Sequence, residues 1–533
     1  MKNQHAVRSR SAFRAIAILL LPLISSDAIS ASTSETTLAS VCAELSMATV
    51  RIVSVTDTSS GVIITAEGHV LTVAHGLHRE HGSATVIFHD GTEAEAEILQ
   101  RDTVADVALL KVDNSFDGRR LPNVGIGLPV TFTKGESVLA AGYPGRERNG
   151  VSPVIRLGEL LTFDAVSQRS SCILTAGDSG GPLVNLRGQL IGLHRQIGLG
   201  AESNHHITVA VVAEALKSFV SLESLAIKAA DSSSAVLGEI STLHNAASKV
   251  CRERTVEIHQ GQLLERVALG TILDKDYVAT KLSELTPDLP IRCLSPDGSI
   301  SAAEVLKADI AMDVAILTLE KPRTSAATLP AKANDSPDLL YSAVFAATGL
   351  DSVSRPGLLT REKLTEPSRV AKLGAVLEFV DSTKSVRVKE VAPNGAAGLS
   401  GLHVGDRVIR LSGRQVHTLE EVSGALQQFQ PGDCLRMQYE RDNEFVNLFA
   451  RLQHDPSERF ERTEFLDGRS GQVSDRRSGF ESVLQHDVPL TPNQCGGPLC
   501  DVSGRLIAIN IARRARESTL AAPIDAVLKL INE

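Results

Sequence analysis

GDSGGPLVNLRGQLIGL, from Gly177 to Leu193, sets one hydroxyl, Ser179, among glycines and follows it with an alternating apolar run. Glycines let a backbone turn tightly enough for successive N–H groups to converge on one point. The run after the turn has the period of a half-buried strand. The pattern recurs as NQCGGPLCDVSGRLIAI, Asn493 to Ile509, where Cys495 to Gly504 repeats the nine-residue interval from Ser179 to Gly188. Two upstream blocks recur in the same order. GVIITAEGHVLTVAHGL (Gly61 to Leu77) parallels GTILDKDYVATKLSEL (Gly270 to Leu285), and ADVALLKV (Ala105 to Val112) parallels MDVAILTL (Met312 to Leu319). β-branched residues with Gly, Asp and Asn punctuation predict short strands and tight turns, so the fold class is mainly β with a duplicated domain.

The first copy holds three residue types that work together. His75 ends the predicted strand of TVAH, Asp106 opens ADVALLKV, and Ser179 sits in the glycine turn. A serine hydroxyl is a poor nucleophile until an imidazole takes its proton, and the imidazole needs a carboxylate to fix its tautomer. The order His, Asp, Ser is one of the three known chain orders of that constellation. Gly177 and Ser179 would supply the oxyanion N–H groups. Ile173 and Leu174, just ahead of the turn, are expected to line an apolar substrate pocket. His205 and His206 read as solvated loop residues.

The copies differ in spacing. Asp106 and Ser179 are 73 residues apart and Asp313 and Cys495 are 182 apart, an excess of 109 that can hold a small domain. Residues 372–452 read as one, with LGAVLEF, SVRVKEVAPNGAAGLSGLHVGDRVIRLSG, a predicted helix in TLEEVSGALQQF and the strand DCLRMQYER. The LGAV stretch (Leu373, Gly374, Ala375, Val376), the AP-x-G-AA-GL turn and the Gly405-Asp406 pair resemble a PDZ domain of the bacterial protease-associated kind. That resemblance implies a groove in which a peptide C-terminus adds as a strand.

Residues 40–228 resemble a trypsin-fold serine protease of the HtrA/DegP type, on GVIIT…VLTVAH, ADVALLKV, GYPG (Gly142 to Gly145) and GDSGGP. The resemblance implies two packed six-stranded β-barrels with the triad in the cleft between them. The whole chain is similar to tandem trypsin/PDZ proteins of the planctomycete type. Asp178 departs from the HtrA pattern, which carries Asn there, and a buried carboxylate needs a cationic or hydrogen-bonding partner.

In the second copy, residues 241–371 and 453–533, Ser283 stands opposite His75, or Lys281 if a gap is moved. Asp313 keeps the carboxylate and Cys495 replaces the serine. This reads as a pseudoprotease, since a thiol needs a base or a lowered pKa. Ala229 to Gly238 begins a small, polar linker at 229–240. Residues 1–31 have the basic, apolar and small-residue order of a signal peptide, which places the mature chain in a secreted or periplasmic setting, with a retained anchor the secondary reading.

A net charge of −9, 3% aromatic residues and no Trp exclude a dedicated nucleic-acid binder. The expected function is an extracytoplasmic endopeptidase acting on unfolded or exposed polypeptides. It needs no cofactor and no metal, binds peptide C-termini at the PDZ groove and forms a possible homo-oligomer. The rival is an idle peptide-binding scaffold.

Overall fold

The computed structural model describes residues 38–55, 57–113, 120–127, 133–145, 152–198, 204–217, 247–261, 265–323, 340–352, 354–455 and 473–532. The expected signal peptide lies outside these residues, as does the linker.

Alternation in the sequence becomes barrel wall. In Glu93–Asp102, Ala94 and Ala96 turn inward while Glu93, Glu95 and Glu97 face solvent, as the two-residue period of a strand requires. Six such strands between Thr49–Ser54 and Val107–Val112 close barrel 1, and six between Ser137–Gly142 and Asn204–Thr208 close barrel 2. Barrel 3 runs from Thr255–Gln260 to Val314–Leu319. Barrel 4 is built from Ala343–Ala346, Arg355–Glu366, Phe480–His486, Pro498–Asp501, Leu506–Ala515 and Ser518–Pro523. Each barrel follows the spatial order 1-2-3-6-5-4 in its own strands, so one winding is used four times. Closure leaves no barrel with an open edge.

The excess residues enter a single hairpin. Three residues separate the second and third strands of barrel 2, Phe163 from Ser167, whereas 113 separate Glu366 from Phe480 in barrel 4. The insertion folds into an antiparallel sheet with Ala375–Val380 at its free edge, beside the helix Leu419–Leu426. A capping box starts that helix: Glu421 N–H donates to Thr418 Oγ1 at 3.2 Å, and Thr418 N–H donates to Glu421 Oε2 at 3.2 Å.

Apolar burial divides along the same lines. Barrels 1 and 3 have their own cores, around Val50, Ile52 and Leu110 and around Val256, Ile258 and Leu317. The largest cluster joins barrels 1 and 2 through Leu71, Leu109, Leu139 and Leu193, and continues into Ala343 and Leu358 of barrel 4. A common core therefore runs from the first barrel pair into the second.

Candidate active site between barrels 1 and 2

His75 lies in the single turn Ala74–Gly76 that follows the strand His69–Thr72, with its side chain 49% exposed. Asp106 holds it at two points. The carboxylate accepts from the His75 backbone N–H at 3.0 Å and stands 2.9 and 3.1 Å from ring Nδ1. Asp106 has a left-handed backbone (φ 60°), and its own carbonyl accepts from Ala74 N–H at 3.3 Å. Burial pushes the Asp106 carboxyl up, but its bonds to His75 and the nearby Arg195 charge outweigh this and hold it below the usual range. Arg195, whose Nε lies 3.4 Å from Asp106 Oδ2, was not found from sequence. Its place in the strand Leu190–Gln196 carries no motif signal.

The Ser179 turn is pinned across the cleft by Ser60. Ser60 N–H donates to Ser179 O at 2.8 Å, Ser60 Oγ donates to Gly177 O at 2.8 Å, and Tyr143 N–H donates to Ser60 Oγ at 2.9 Å. Gly180 (φ 85°) sits so close to barrel 1 that a Cβ there would meet Thr72 Oγ1 at 2.2 Å, Ser60 O at 2.3 Å and Val73 N at 3.0 Å. The turn therefore packs two residues from His75. Among the described residues, Gly177 and Ser179 N–H donate to no protein acceptor, and no hydrogen bond joins Ser179 Oγ to His75. Catalytic hydrogen bonds of this kind are often long until substrate binds.

Asp178 has a cationic partner, Arg156. Its Nη1 stands 3.1 Å from Asp178 Oδ2, with both side chains 1% exposed, and Thr175 N–H donates to the same oxygen at 2.8 Å. Burial raises the Asp178 carboxyl to about 6, against the pull of Arg156.

Ile173 and Leu174 are 3% and 2% exposed, and Leu174 packs with Val138, Leu160 and Leu183 in the barrel core. This leaves little of either side chain for a pocket wall. His206 corrects the loop reading. It lies in the strand Asn204–Thr208, fully buried, with Nε2 2.7 Å from Ser170 Oγ and Nδ1 3.0 Å from His194 Nδ1. Burial lowers its pKa to about 3. The alternating strand faced it inward, where sequence suggested a polar loop.

The second copy keeps the scaffold and changes the side chains. Leu282 N–H donates to Asp313 O at 3.0 Å, and Ser283 N–H donates to Asp313 Oδ1 at 2.7 Å, repeating the Ala74 and His75 bonds to Asp106. Ser283 thus occupies the His75 position, and its hydroxyl donates to Asp313 Oδ2 at 2.8 Å. Lys281 is buried and paired with Glu284 at 2.7 Å. Burial pushes the Cys495 thiol up to about 11, opposed by Lys281. His486 Nε2–H donates to Asn510 Oδ1 at 2.8 Å, and Nδ1 accepts from Val488 N–H at 3.2 Å. Arg451, from the last strand of the inserted sheet, donates to the Ser283 carbonyl and to Gly432 O.

In the inserted domain, Gly374 has φ 73°, and a Cβ there would meet Gly395 Cα at 2.8 Å. Leu373 O accepts from Ala397 N–H at 2.7 Å and Gly374 O from Ala392 N–H at 2.9 Å, which ties the start of the Leu373–Val376 stretch to the segment around the short helix Ala396–Leu399. Leu373 is buried. Val376, Phe379 and Leu419 are exposed along the edge strand and the adjacent helix.

These features define a trypsin-like double barrel linked to a PDZ domain. The trypsin-like peptidase domain model matches residues 59–193 and the PDZ domain model matches residues 372–451. The chain's homologues are DegP/HtrA serine endoproteases. It is 36% identical over 142 residues to "Probable periplasmic serine endoprotease DegP-like" of Ectopseudomonas mendocina (strain ymp), covering 26% of this chain and 29% of that protein. The protein of that name in Rhizobium meliloti (strain 1021) is 26% identical over 387 residues, 68% of each chain. Serine protease HTRA1B of Danio rerio is 33% identical over 144 residues, 25% of this chain and 29% of that one. The chain thus spans about three tenths of the length of several curated relatives it matches. A serine endoprotease from Yersinia pestis aligns with 78% of this chain and 98% of its own at 15% identity, with a TM-score of 0.31.

Proposed function

We propose that this chain is an extracytoplasmic serine endopeptidase that cleaves unfolded or exposed polypeptide segments through an acyl-enzyme. Ser179 attacks the scissile carbonyl, and His75 takes the hydroxyl proton and then delivers it to the leaving amine. Asp106 orients the imidazole and balances its charge. The Gly177 and Ser179 amides stabilise the oxyanion, where one donor is worth about 2.7–4 kcal/mol. The observation that carries this reading is the bidentate grip of Asp106 on His75, opposite a glycine turn whose amides at 177 and 179 have no protein acceptor among the described residues. The periplasmic names of the relatives support the setting outside the cytoplasm.

The PDZ domain receives peptide C-termini. A carboxylate meets the backbone of Leu373, Gly374, Ala375 and Val376, and the peptide adds to the free edge Ala375–Val380. The second barrel pair is catalytically silent, because Ser283, Asp313 and Cys495 contain no imidazole and the thiol is held protonated. The mature chain should hydrolyse casein, and Ser179→Ala should abolish turnover while leaving the unfolding midpoint unchanged. Undiminished hydrolysis by that variant would falsify the reading.

A further inference from the structure

Asp178, one residue ahead of the proposed nucleophile, is anchored inside the first barrel pair, but the anchor is itself held from the second. Arg156 lies in the strand Val154–Phe163, and the N–H of the next residue, Leu157, donates to Asp487 Oδ2 at 2.6 Å. Asp487 follows the strand Phe480–His486 of barrel 4, and its other oxygen accepts from Leu358 N–H at 2.7 Å. Each carboxylate sits in a notch that only glycine leaves open. A Cβ on Gly142 would meet Asp178 Oδ1 at 2.4 Å, and one on Gly357 would meet Asp487 Oδ1 at 2.3 Å. The buried Arg156 guanidinium lies within the electrostatic reach of both Asp178 and Asp487.

A second arm arrives by the hairpin joining Leu506–Ala515 to Ser518–Pro523. Arg516 Nη2 donates to Asn204 Oδ1 at 3.4 Å, and Asn204 Nδ2 donates to Cys172 O at 2.8 Å. Cys172 begins the stretch that leads through Thr175 and Gly177 to Ser179. Cys172 is therefore linked to barrel 4 through Asn204 and Arg516, and Asp178 through Arg156, whose strand Asp487 holds at the Leu157 N–H. Burying these charges is costly, and removing one member costs more, because it strands the other without its partner.

We infer that the catalytically silent second barrel pair is a positioning unit for the first, in which Asp487 and Arg516, acting through Arg156 and Asn204, hold the Cys172–Ser179 segment with its amides aimed at one oxyanion. Asp487 and Arg516 touch no reacting atom and are positioning residues. The inference rests on the serine-protease reading of Ser179. It gives the duplicated half a use that explains why its fold persists without its triad.

The test uses the full mature chain and a fluorophosphonate probe. Inactivation separates a maximal rate, which needs the oxyanion amides, from an apparent affinity, which does not. Asp487→Asn should lower the maximal rate at least tenfold with affinity changed less than twofold. In an Arg156→Met/Asp178→Asn background, where the charged relay is gone, the same change should cost less than twofold. Equal losses in both backgrounds overturn the inference. Arg516→Met provides an independent arm should Asp487→Asn fold poorly. Hydrogen exchange over residues 171–179 should rise in either variant while exchange in barrel 1 stays constant, and unchanged exchange at 171–179 overturns the inference. A wild-type chain that the probe does not label refutes the protease reading instead, and the exchange experiment still decides the positioning role.

Discussion

At the level of single residues, burial and charge decide behaviour more than residue type does. Asp106 and Asp313 share the same left-handed backbone and the same bond to the residue at the His75 position. Yet burial raises Asp313 to about 7, against the pull of Lys281 and Arg476, while Asp106 stays below the usual range. A carboxyl raised on folding stabilises fully below its unfolded pKa of about 3.9, and that contribution is lost as pH rises toward about 7. Asp313→Asn should therefore flatten the decline in urea midpoint between about pH 4 and pH 7; an unchanged slope contradicts the burial argument. At Asp106 the sign reverses, since its contribution is present above the unfolded value and fades in acid. Asp106→Asn should cut kcat by about 10⁴, since the imidazole loses its orienting carboxylate, as a steady-state assay would read.

Elements succeed or fail by fit. The turn carrying Ser179 touches barrel 1 backbone so closely that Gly180→Ala forces overlap with Ser60 O at a positive φ. This should cost about 2–3 kcal/mol, measured as a lower urea midpoint. The PDZ edge makes a different claim. A peptide ending in a free carboxylate should bind at least tenfold more tightly than its C-terminal amide in fluorescence anisotropy, and equal affinities would remove the groove from the account. Much of this was visible in the sequence. TVAH, ADVALL and GDSGGP each combine a chemical group with the strand or turn that presents it, so the pairing of His75 with Asp106 could be anticipated. The 109-residue excess marked one insertion, and the structure spends it in one hairpin. Arg156 was invisible, because an Arg in an alternating strand looks solvent-facing until the second barrel pair covers it. His206 was misplaced for another reason: its strand was read as a loop, and within barrel 2 it faces Ser170 and His194.

Across the whole molecule, the repeated 1-2-3-6-5-4 winding shows how a duplicated fold can diverge in use. The first pair leaves His75 half exposed to a cleft. The second closes its equivalent cleft with the Ser283–Asp313 bond, the Lys281–Glu284 pair and Arg451 from the inserted domain. A shared core through Leu139, Ala343 and Leu358 joins the two pairs, as the proposed positioning role requires. On the serine-protease reading, Ser179 alone is an activated nucleophile. Fluorophosphonate labelling of the mature chain with mass-spectrometric site mapping tests it most directly. One modified residue, Ser179, is expected, with labelling lost in His75→Ala. Labelling at Ser283 or elsewhere, or none in the wild-type chain, would contradict it.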